Sequence, residues 1–419
     1  MRMCLTGDLG GYYTGAIEQG RDQFGQKGDF VTSPEISQVF GELIGIWFVA
    51  EWMSQGRPKS GIELIEVGPG RGTLMDDILR TISNFKEMVN AIDAIHMVEA
   101  SSELRVTQKN LLCGQDRQMT ESKSGYHSSD KVPFIVAHEF FDALPIHAFQ
   151  LVTVPPSQTP TSSKSTSSPR PSDNSKPTVQ WREMVVSPTP PGSTHQSLGT
   201  PKSQSIDTPV PDFQLTLSPS STRHSLYLPE SSPRYRALKS IPGALIEICP
   251  DASLYATDFA TRIGGSPQHP KDKPSGAALI LDYGPGDGTV PVNSLRGISK
   301  HRRVSPFAEP GQTDLSADVD FAAVAEAALR ASDGVEVHGP VDQAAFLEGM
   351  GIKERAEMLV KGLRQKGDGE AKSDHVEKAW KRLVDRGPGG MGKTYKALAI
   401  LPENDGKRRP VGFGGDVGA

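Results

Sequence analysis

Glu66, Gly68, Gly70 and Gly72 recur at a spacing of two within IELIEVGPGRGTLMDDIL, residues 62–79. The run opens as a strand, because Ile62, Leu64, Ile65 and Val67 are apolar and β-branched residues favour a pleated, buried position. The glycines lack a Cβ, so they permit a tight turn and let a ligand lie against the backbone. Beyond Gly72 the spacing turns helical, with Leu74, Ile78 and Leu79 on one face. Strand, glycine turn and helix open a nucleotide-binding α/β domain with its ligand at the helix N-terminus.

The spacing narrows the ligand. A dinucleotide turn reads GxGxxG and a P-loop GxxxxGK[ST]. This turn reads ExGxGxG, with no Lys-Ser/Thr after it. A carboxylate at position 66 would repel a pyrophosphate and suit a cationic amino-acid end, such as that of S-adenosylmethionine. The plain alternative is a glycine turn without a ligand. A second strand, residues 94–101, carries Glu99 near its end, placed to accept hydrogen bonds from both ribose hydroxyls. NAD enzymes share that device, so Glu99 supports adenosine without choosing the cofactor. A solvated strand end would read the same way.

A strand over residues 132–137 runs into His138-Glu139-Phe140-Phe141-Asp142-Ala143-Leu144-Pro145. Ligands of α/β proteins sit at such C-terminal strand ends. Two carboxylates and two aromatics there make Glu139 and Asp142 candidate ligand-binding residues. A helix cap would account for Asp142 alone. A further core strand, residues 277–282, ends in Asp282-Tyr283-Gly284. Asp314, Asp318 and Asp320 follow, but their spacing is not that of a calcium loop. Asp320 reads as the cap of a helix over 321–331, which leaves Asp314 and Asp318 free as reserve acceptor ligands beside Asp282.

These residues need a frame. Thr32, Pro34 and Glu35 form a capping-box start for one helix, and Ile36 to Phe48 give it a wide apolar stripe that must pack on the sheet. Helices are expected over 73–83 and 103–110, and a polar loop over 114–131. Alternating runs at 148–154, 179–186 and 213–217 read as antiparallel strands. Between them, residues 155–178 and 187–210 are Ser/Thr/Pro tracts with too few aliphatics to offset ordering entropy, and read as disordered. Then come a strand at 244–248, a helix to about 263, a polar loop over 284–310, and a strand at 335–338. Helices at 342–350 and 374–385, a final strand at 395–401 and a loose Gly-rich tail complete the chain.

Composition excludes several classes. The chain has 419 residues, a net charge of −5 and 36% hydrophobic residues, so no basic surface for general nucleic-acid binding is implied. Cys4, Cys113 and Cys249 form no CxxC pair, which fits a reducing compartment, and no metal site is expected. No apolar run reaches membrane-span length, so no stable membrane insertion is expected. The N-terminal residues are too poor in Arg to read as a transit peptide.

Residues 28–47 (GDFVTSPEISQVFGELIGIW), 62–79, 137–150 (AHEFFDALPIHAFQ), 314–321 (DLSADVDF) and 339–352 (GPVDQAAFLEGMGI) occur in this order. Together they resemble the MidA-like family of class I methyltransferases, over nearly the whole chain apart from the two Ser/Thr/Pro tracts. The resemblance implies an α/β fold: a Rossmann-like class I methyltransferase sheet with helices on both faces, an N-terminal helical cap and an inserted antiparallel meander. The implied divisions are 1–60 for the cap, 61–147 and 233–402 for the methyltransferase halves, 148–232 for the insert and 403–419 for the tail. It implies S-adenosyl-L-methionine as cofactor, with Glu66, Gly68, Gly70 and Gly72 at the methionine end, Glu99 at the ribose, the loop 28–35 folded over it, and Glu139 and Asp142 as the catalytic pair that holds the methyl acceptor. Mitochondrial members of the family methylate arginine in a subunit of respiratory complex I and are needed for its assembly, so a protein substrate and the matrix are implied; a homodimer is allowed. Family members carry a helix before Gly11-Tyr12-Tyr13, so the chain is expected to begin late. The competing readings are an assembly chaperone that binds S-adenosylmethionine without transfer, and an NAD-dependent oxidoreductase, which Glu66 and the GxGxG spacing oppose.

Overall fold

The computed structural model describes residues 1–8, 10–15, 29, 31–113, 131–154, 178–198, 209–365 and 370–415. They form two compact units. The first comprises Met1–Pro145, Pro250–Thr289 and Leu295–Ala419; the second comprises Ile146–Cys249 and Val290–Ser294.

In the first unit, strands β1 (Ile62–Val67), β2 (Ile92–Val98) and β3 (Val132–His138) arise from the β-branched runs. The second unit contributes β4 (His147–Val154), β5 (Thr178–Pro188), β6 (Phe213–Leu217) and β7 (Leu245–Ile248). The first unit resumes with β8 (Ala277–Tyr283), β9 (Arg296–Ser299), β10 (Arg302–Val304), β11 (Asp314–Ser316), β12 (Val335–Asp342) and β13 (Tyr395–Pro402). The main sheet has the order β12-β13-β8-β3-β1-β2. β2, β1, β3 and β8 run parallel, and β13 lies antiparallel between β8 and β12. The order reverses at β1, whose neighbours are β2 and β3, so the ends of β1 and β3 flank the crevice where open α/β sheets bind ligands.

Both faces of this sheet are covered. Every residue of β1, β3 and β8 is buried, as expected of parallel strands with helices on each side. Phe134, Val136, Leu279 and Leu281 share a core with Phe40, Ile44, Trp47 and Phe48 of the helix Gln38–Ser54. The alternate residues Ile135, Ala137, Ala278 and Ile280 face the other way and are also buried. The helix Pro250–Gly264, which packs on β3 and β13, lies on that side.

Several expectations are corrected. The single helix expected after Thr32 is two, Ser33–Ile36 and Gln38–Ser54, because Ser37 is extended and its hydroxyl accepts the Val39 N–H at 3.3 Å; a serine offers its backbone that alternative to a continuous helix. Thr32 makes no side-chain cap bond, and Glu35 reaches away to Arg71 and Thr73 instead of closing a capping box. The polar loop 284–310 contains β9 and β10, which form a small sheet of order β10-β9-β11. Residues 244–248 belong to the second unit: its antiparallel sheet is β6-β5-β4-β7, around Phe149, Leu151, Trp181, Tyr235 and Ile246. That unit therefore extends past 232, to Cys249. The expected disorder at 155–177 and 199–208 lies outside the described residues, whereas Ser187 and Pro188 pair with Gln214 and Phe213 as the end of β5.

The tail after Pro402 is not loose as far as Gly415. Trp47 donates its indole N–H to the Val411 carbonyl at 3.2 Å, and Phe413 packs 5.5 Å from Phe346. Arg408 forms a two-point pair with Glu51 at 2.6 and 2.9 Å, and Glu51 is fully buried. Removing one partner of such a pair strands a buried charge. Arg408 is itself one-fifth exposed, so Arg408→Ala should destabilise the chain by about 2–4 kcal/mol, below the fully buried limit. Urea unfolding measures it; a loss under about 0.5 kcal/mol would mean the pair is held open by water.

Candidate active site

Three strand ends build the site. At the end of β1, Gly68 donates its N–H to the Val98 carbonyl at 3.0 Å, which fixes the turn against β2. Gly68, Gly70 and Gly72 have φ of 70°, 52° and 86°, all in the left-handed region, so the spacing of two reflects backbone need. Gly68 is also a close approach: a Cβ there would lie 2.7 Å from Cδ2 of Phe140. The turn is clamped by Gln108, whose amide donates to the Gly70 carbonyl at 2.6 Å and lies 3.4 Å from Glu99 Oε2. Glu99 Oε1 accepts the Ser101 N–H at 2.8 Å. From the other side Glu35 bonds Thr73 at 2.9 Å and Arg71 at 3.4 Å, tying the cap to the turn. No motif in the sequence marks Gln108; only contact between the β2–helix unit and the turn reveals it.

Glu66 is 2% exposed, and its Oε2 has no hydrogen-bond partner among the described residues. Burial pushes its carboxyl up to about 8, against a backbone hydrogen bond from Met75 and with repulsion from Glu99. An orphaned, buried carboxylate oxygen just before a glycine turn fits a ligand with an ammonium group. Glu99, raised by burial and eased by the Ser101 N–H and Gln108, retains acceptor capacity for hydroxyls. The residues present therefore fit S-adenosyl-L-methionine: Glu66 and the turn at the amino-acid end, Glu99 at the ribose.

Beyond β3 and β8 lies a cluster of carboxyl groups and tyrosines. Glu139 adopts φ 49°, a rare backbone state for a non-glycine residue, and donates its N–H to the Leu281 carbonyl at 2.9 Å. Its side chain is 15% exposed, Oε1 is buried without a hydrogen-bond partner among the described residues, and the Ser33 N–H and Tyr395 hydroxyl serve the carboxylate. Asp142 accepts a hydrogen bond from the Tyr283 hydroxyl. Asp282 accepts the N–H groups of Phe141 and Asp142 at 2.9 and 3.2 Å, so it holds the turn that carries Asp142. Asp314 accepts from the Tyr13 hydroxyl at 3.0 Å, and Asp318 pairs with Arg296 at 2.6 Å. Neither is free, contrary to expectation. Asp320 does cap its helix, through the Ala323 N–H at 3.0 Å. Tyr13, Tyr283, Tyr395 and Arg296 come from distant segments, and only folding brings them together.

Burial is the dominant charge effect in this cluster. It pushes Glu139 up to about 8, and the neighbouring Asp142 adds to the rise. It raises Asp142 to about 6 despite the Tyr283 hydroxyl and Arg296. It raises Asp314 to about 7, again with Asp142 contributing. It lifts Asp282 well above the carboxylate range. Burial also lowers His138 to about 3, leaving its ring neutral and 3.4 Å from Glu139 Oε1. Phe140 connects the two halves: it covers Gly68 and packs edge-on against Tyr255, centroids 4.8 Å apart, and Phe141, 5.7 Å apart. The arrangement can bind a cation beside a nucleoside and shield both from water.

Glu66 gives a pH test. Its folded pKa of about 8 exceeds the usual carboxyl value of about 4.3, so the native state holds a proton at pH 7. A bound ammonium favours the ionised form and expels it, so S-adenosylmethionine binding should release up to about one proton at pH 7 and fewer above pH 9. Calorimetry in two buffers of different ionisation enthalpy reads this directly. Glu66→Gln should abolish the release; wild-type binding without proton release would separate Glu66 from the ammonium.

Comparison with known proteins accords with this geometry. Residues 43–341 match the family model described as putative S-adenosyl-L-methionine-dependent methyltransferase. The protein arginine methyltransferase NDUFAF7, mitochondrial, of Danio rerio is 34% identical over 423 residues, covering 96% of this chain and 82% of that protein. The human protein of the same name is 32% identical over 424 residues, covering 96% and 79%. A Burkholderia thailandensis crystal structure, a likely methyl transferase bound to S-adenosyl-homocysteine, aligns with a TM-score of 0.64 over 98% of this chain and 86% of that one. At 20% identity it is a likeness of fold. With the family model spanning most of the chain and relatives this similar along nearly all of it, the chain belongs to the family of S-adenosyl-L-methionine-dependent methyltransferases.

Proposed function

We propose that the chain is a protein arginine N-methyltransferase of mitochondria whose substrate is a subunit of respiratory complex I. The observation that carries this reading is the buried carboxyl–tyrosine cluster around Glu139, Asp142, Asp282 and Asp314, joined to the glycine cradle by Phe140, which covers Gly68. Similar proteins named protein arginine methyltransferase, mitochondrial, support the acceptor class and the compartment. The resemblance to the MidA-like family is what supports a complex I subunit as substrate.

S-adenosyl-L-methionine, when bound, supplies an electrophilic methyl group on a sulfonium. The chain's residues supply position and charge. An arginine side chain stays protonated in water, with a pKa above about 12. Glu139 and Asp142 bind its guanidinium through charge-assisted hydrogen bonds and turn one nitrogen toward the cradle. Alkylation of a guanidinium leaves one proton to be removed. Glu139 accepts it at Oε1, where burial keeps the carboxyl's proton affinity near neutral pH. Asp282 positions Asp142 through the backbone, Tyr283 orients its carboxylate, and Phe140 and Phe141 exclude water, which strengthens each pair.

Glu139→Gln keeps the shape and removes both charge and base. Methyl transfer to a substrate peptide should fall at least about a hundredfold, roughly 2.7 kcal/mol in barrier, while cofactor affinity stays within about twofold, since Glu66 and Glu99 carry that task. Mass spectrometry of complex I subunits after deletion of this chain should show one arginine losing its methylation. Cofactor binding with no transfer to any peptide would favour the chaperone reading instead.

A further inference from the structure

Outside the active site, the second unit carries a group that the methyl-transfer chemistry does not use. β4 and β5 pair so that Glu183 stands opposite Phe149, and His147, two residues earlier on β4, shares that face. The short helix Arg223–Tyr227 brings in His224. A reciprocal capping box between Thr222 and Ser225 fixes that helix start. His147 Nδ1 is 2.7 Å and His224 Nδ1 3.4 Å from the same oxygen, Glu183 Oε1. The three donor atoms lie within 4.8 Å of one another, and the two imidazole centroids are 4.2 Å apart. The other carboxylate oxygen accepts from the Thr222 hydroxyl.

We propose that His147, Glu183 and His224 form a binding site for a divalent transition-metal ion of the zinc class. Two imidazole nitrogens and a carboxylate are a common donor set for such an ion, and they select against magnesium and calcium, which prefer all-oxygen shells. Zinc bonds of about 2.0–2.1 Å at tetrahedral angles set neighbouring ligand atoms about 3.3 Å apart. The two distances to Glu183 Oε1, 2.7 and 3.4 Å, bracket that edge, so small side-chain shifts suffice. The Thr222 hydroxyl supplies the outer hydrogen bond that orients a ligating carboxylate. His224 is half exposed, His147 about a quarter, so an ion can enter from solvent and keep water as a fourth ligand. The ion would pin β4, β5 and the Thr222 helix start together.

The sequence hides this site, since its ligands His147, Glu183 and His224 are separated by 36 and 41 positions and match no metal motif spacing. The test uses the full chain, stripped with a chelator and titrated with Zn²⁺ by calorimetry and with Co²⁺ by visible absorption. We expect about one equivalent bound, with a tetrahedral cobalt spectrum and no competition from Mg²⁺. His147→Ala and His224→Ala should each lose that equivalent. Thr222→Ala should weaken affinity about tenfold or more, and Thr222→Ser should restore it. His224 is exposed enough that its removal leaves the fold intact, which circular dichroism checks. A wild-type chain that binds no Zn²⁺, or a folded His224→Ala variant that binds it as well as wild type, overturns the site; the trio is then only a hydrogen-bonded brace.

Discussion

Carboxyl groups crowd the tips of β1, β3 and β8, where the sheet has already excluded water. Asp142, Asp282 and Asp314 are met there by hydroxyl and backbone donors, while one oxygen each of Glu66 and Glu139 has no hydrogen-bond partner among the described residues. A buried carboxylate without a cation is expensive, and the usual outcome is protonation. The site thus sits in a high-energy charge arrangement that the cationic ligands proposed above, at Glu66 and between Glu139 and Asp142, would relieve. Affinity for charge and instability without it are two aspects of one geometry. The left-handed backbone at Glu139 adds to the same reservoir, since strain of this kind persists only where surrounding packing imposes it.

The frame that bears this strain is stiff where it must be. β1, β3 and β8 are buried along their whole length, so their ends cannot drift relative to one another. Gly41 permits the helix Gln38–Ser54 to meet the helix Thr73–Ile82 closely: a Cβ there would fall 2.4 Å from that of Asp77. The second helix starts from the glycine cradle, so this crossing fixes the cradle from behind. Glu35, at the end of the cap, fixes it from the front.

Local signals in the sequence disclosed the cradle and hid its supports. Glycines at a spacing of two announce a turn whose backbone other residues resist, and Glu66, Glu99 and Glu139 sit beside strand ends that periodicity locates. Tyr13 meets Asp314 across 301 positions and Gln55 meets Gly276 across 221; no window of sequence contains such a pair. β7 shows the same limit. A short run of Leu and Ile indicates a strand but not its sheet, so its membership of the second unit emerged only from pairing with β4. Ser37 broke a helix that the apolar stripe alone would have continued, because the stripe records burial and not backbone hydrogen bonding.

The position of β13 bears on how the molecule comes into being. The last strand among the described residues occupies an interior place in the main sheet, between β8 and β12, and residues 408–413 then seal the helix Gln38–Ser54. During synthesis, β8 therefore leaves the ribosome with one edge open, and its apolar residues must wait for more than a hundred further residues. Such late, long-range pairing is slow and leaves hydrophobic surface exposed meanwhile. The nascent chain is a natural client for a holding chaperone, and a ribosome that stops short of residue 395 releases a sheet missing an inner strand.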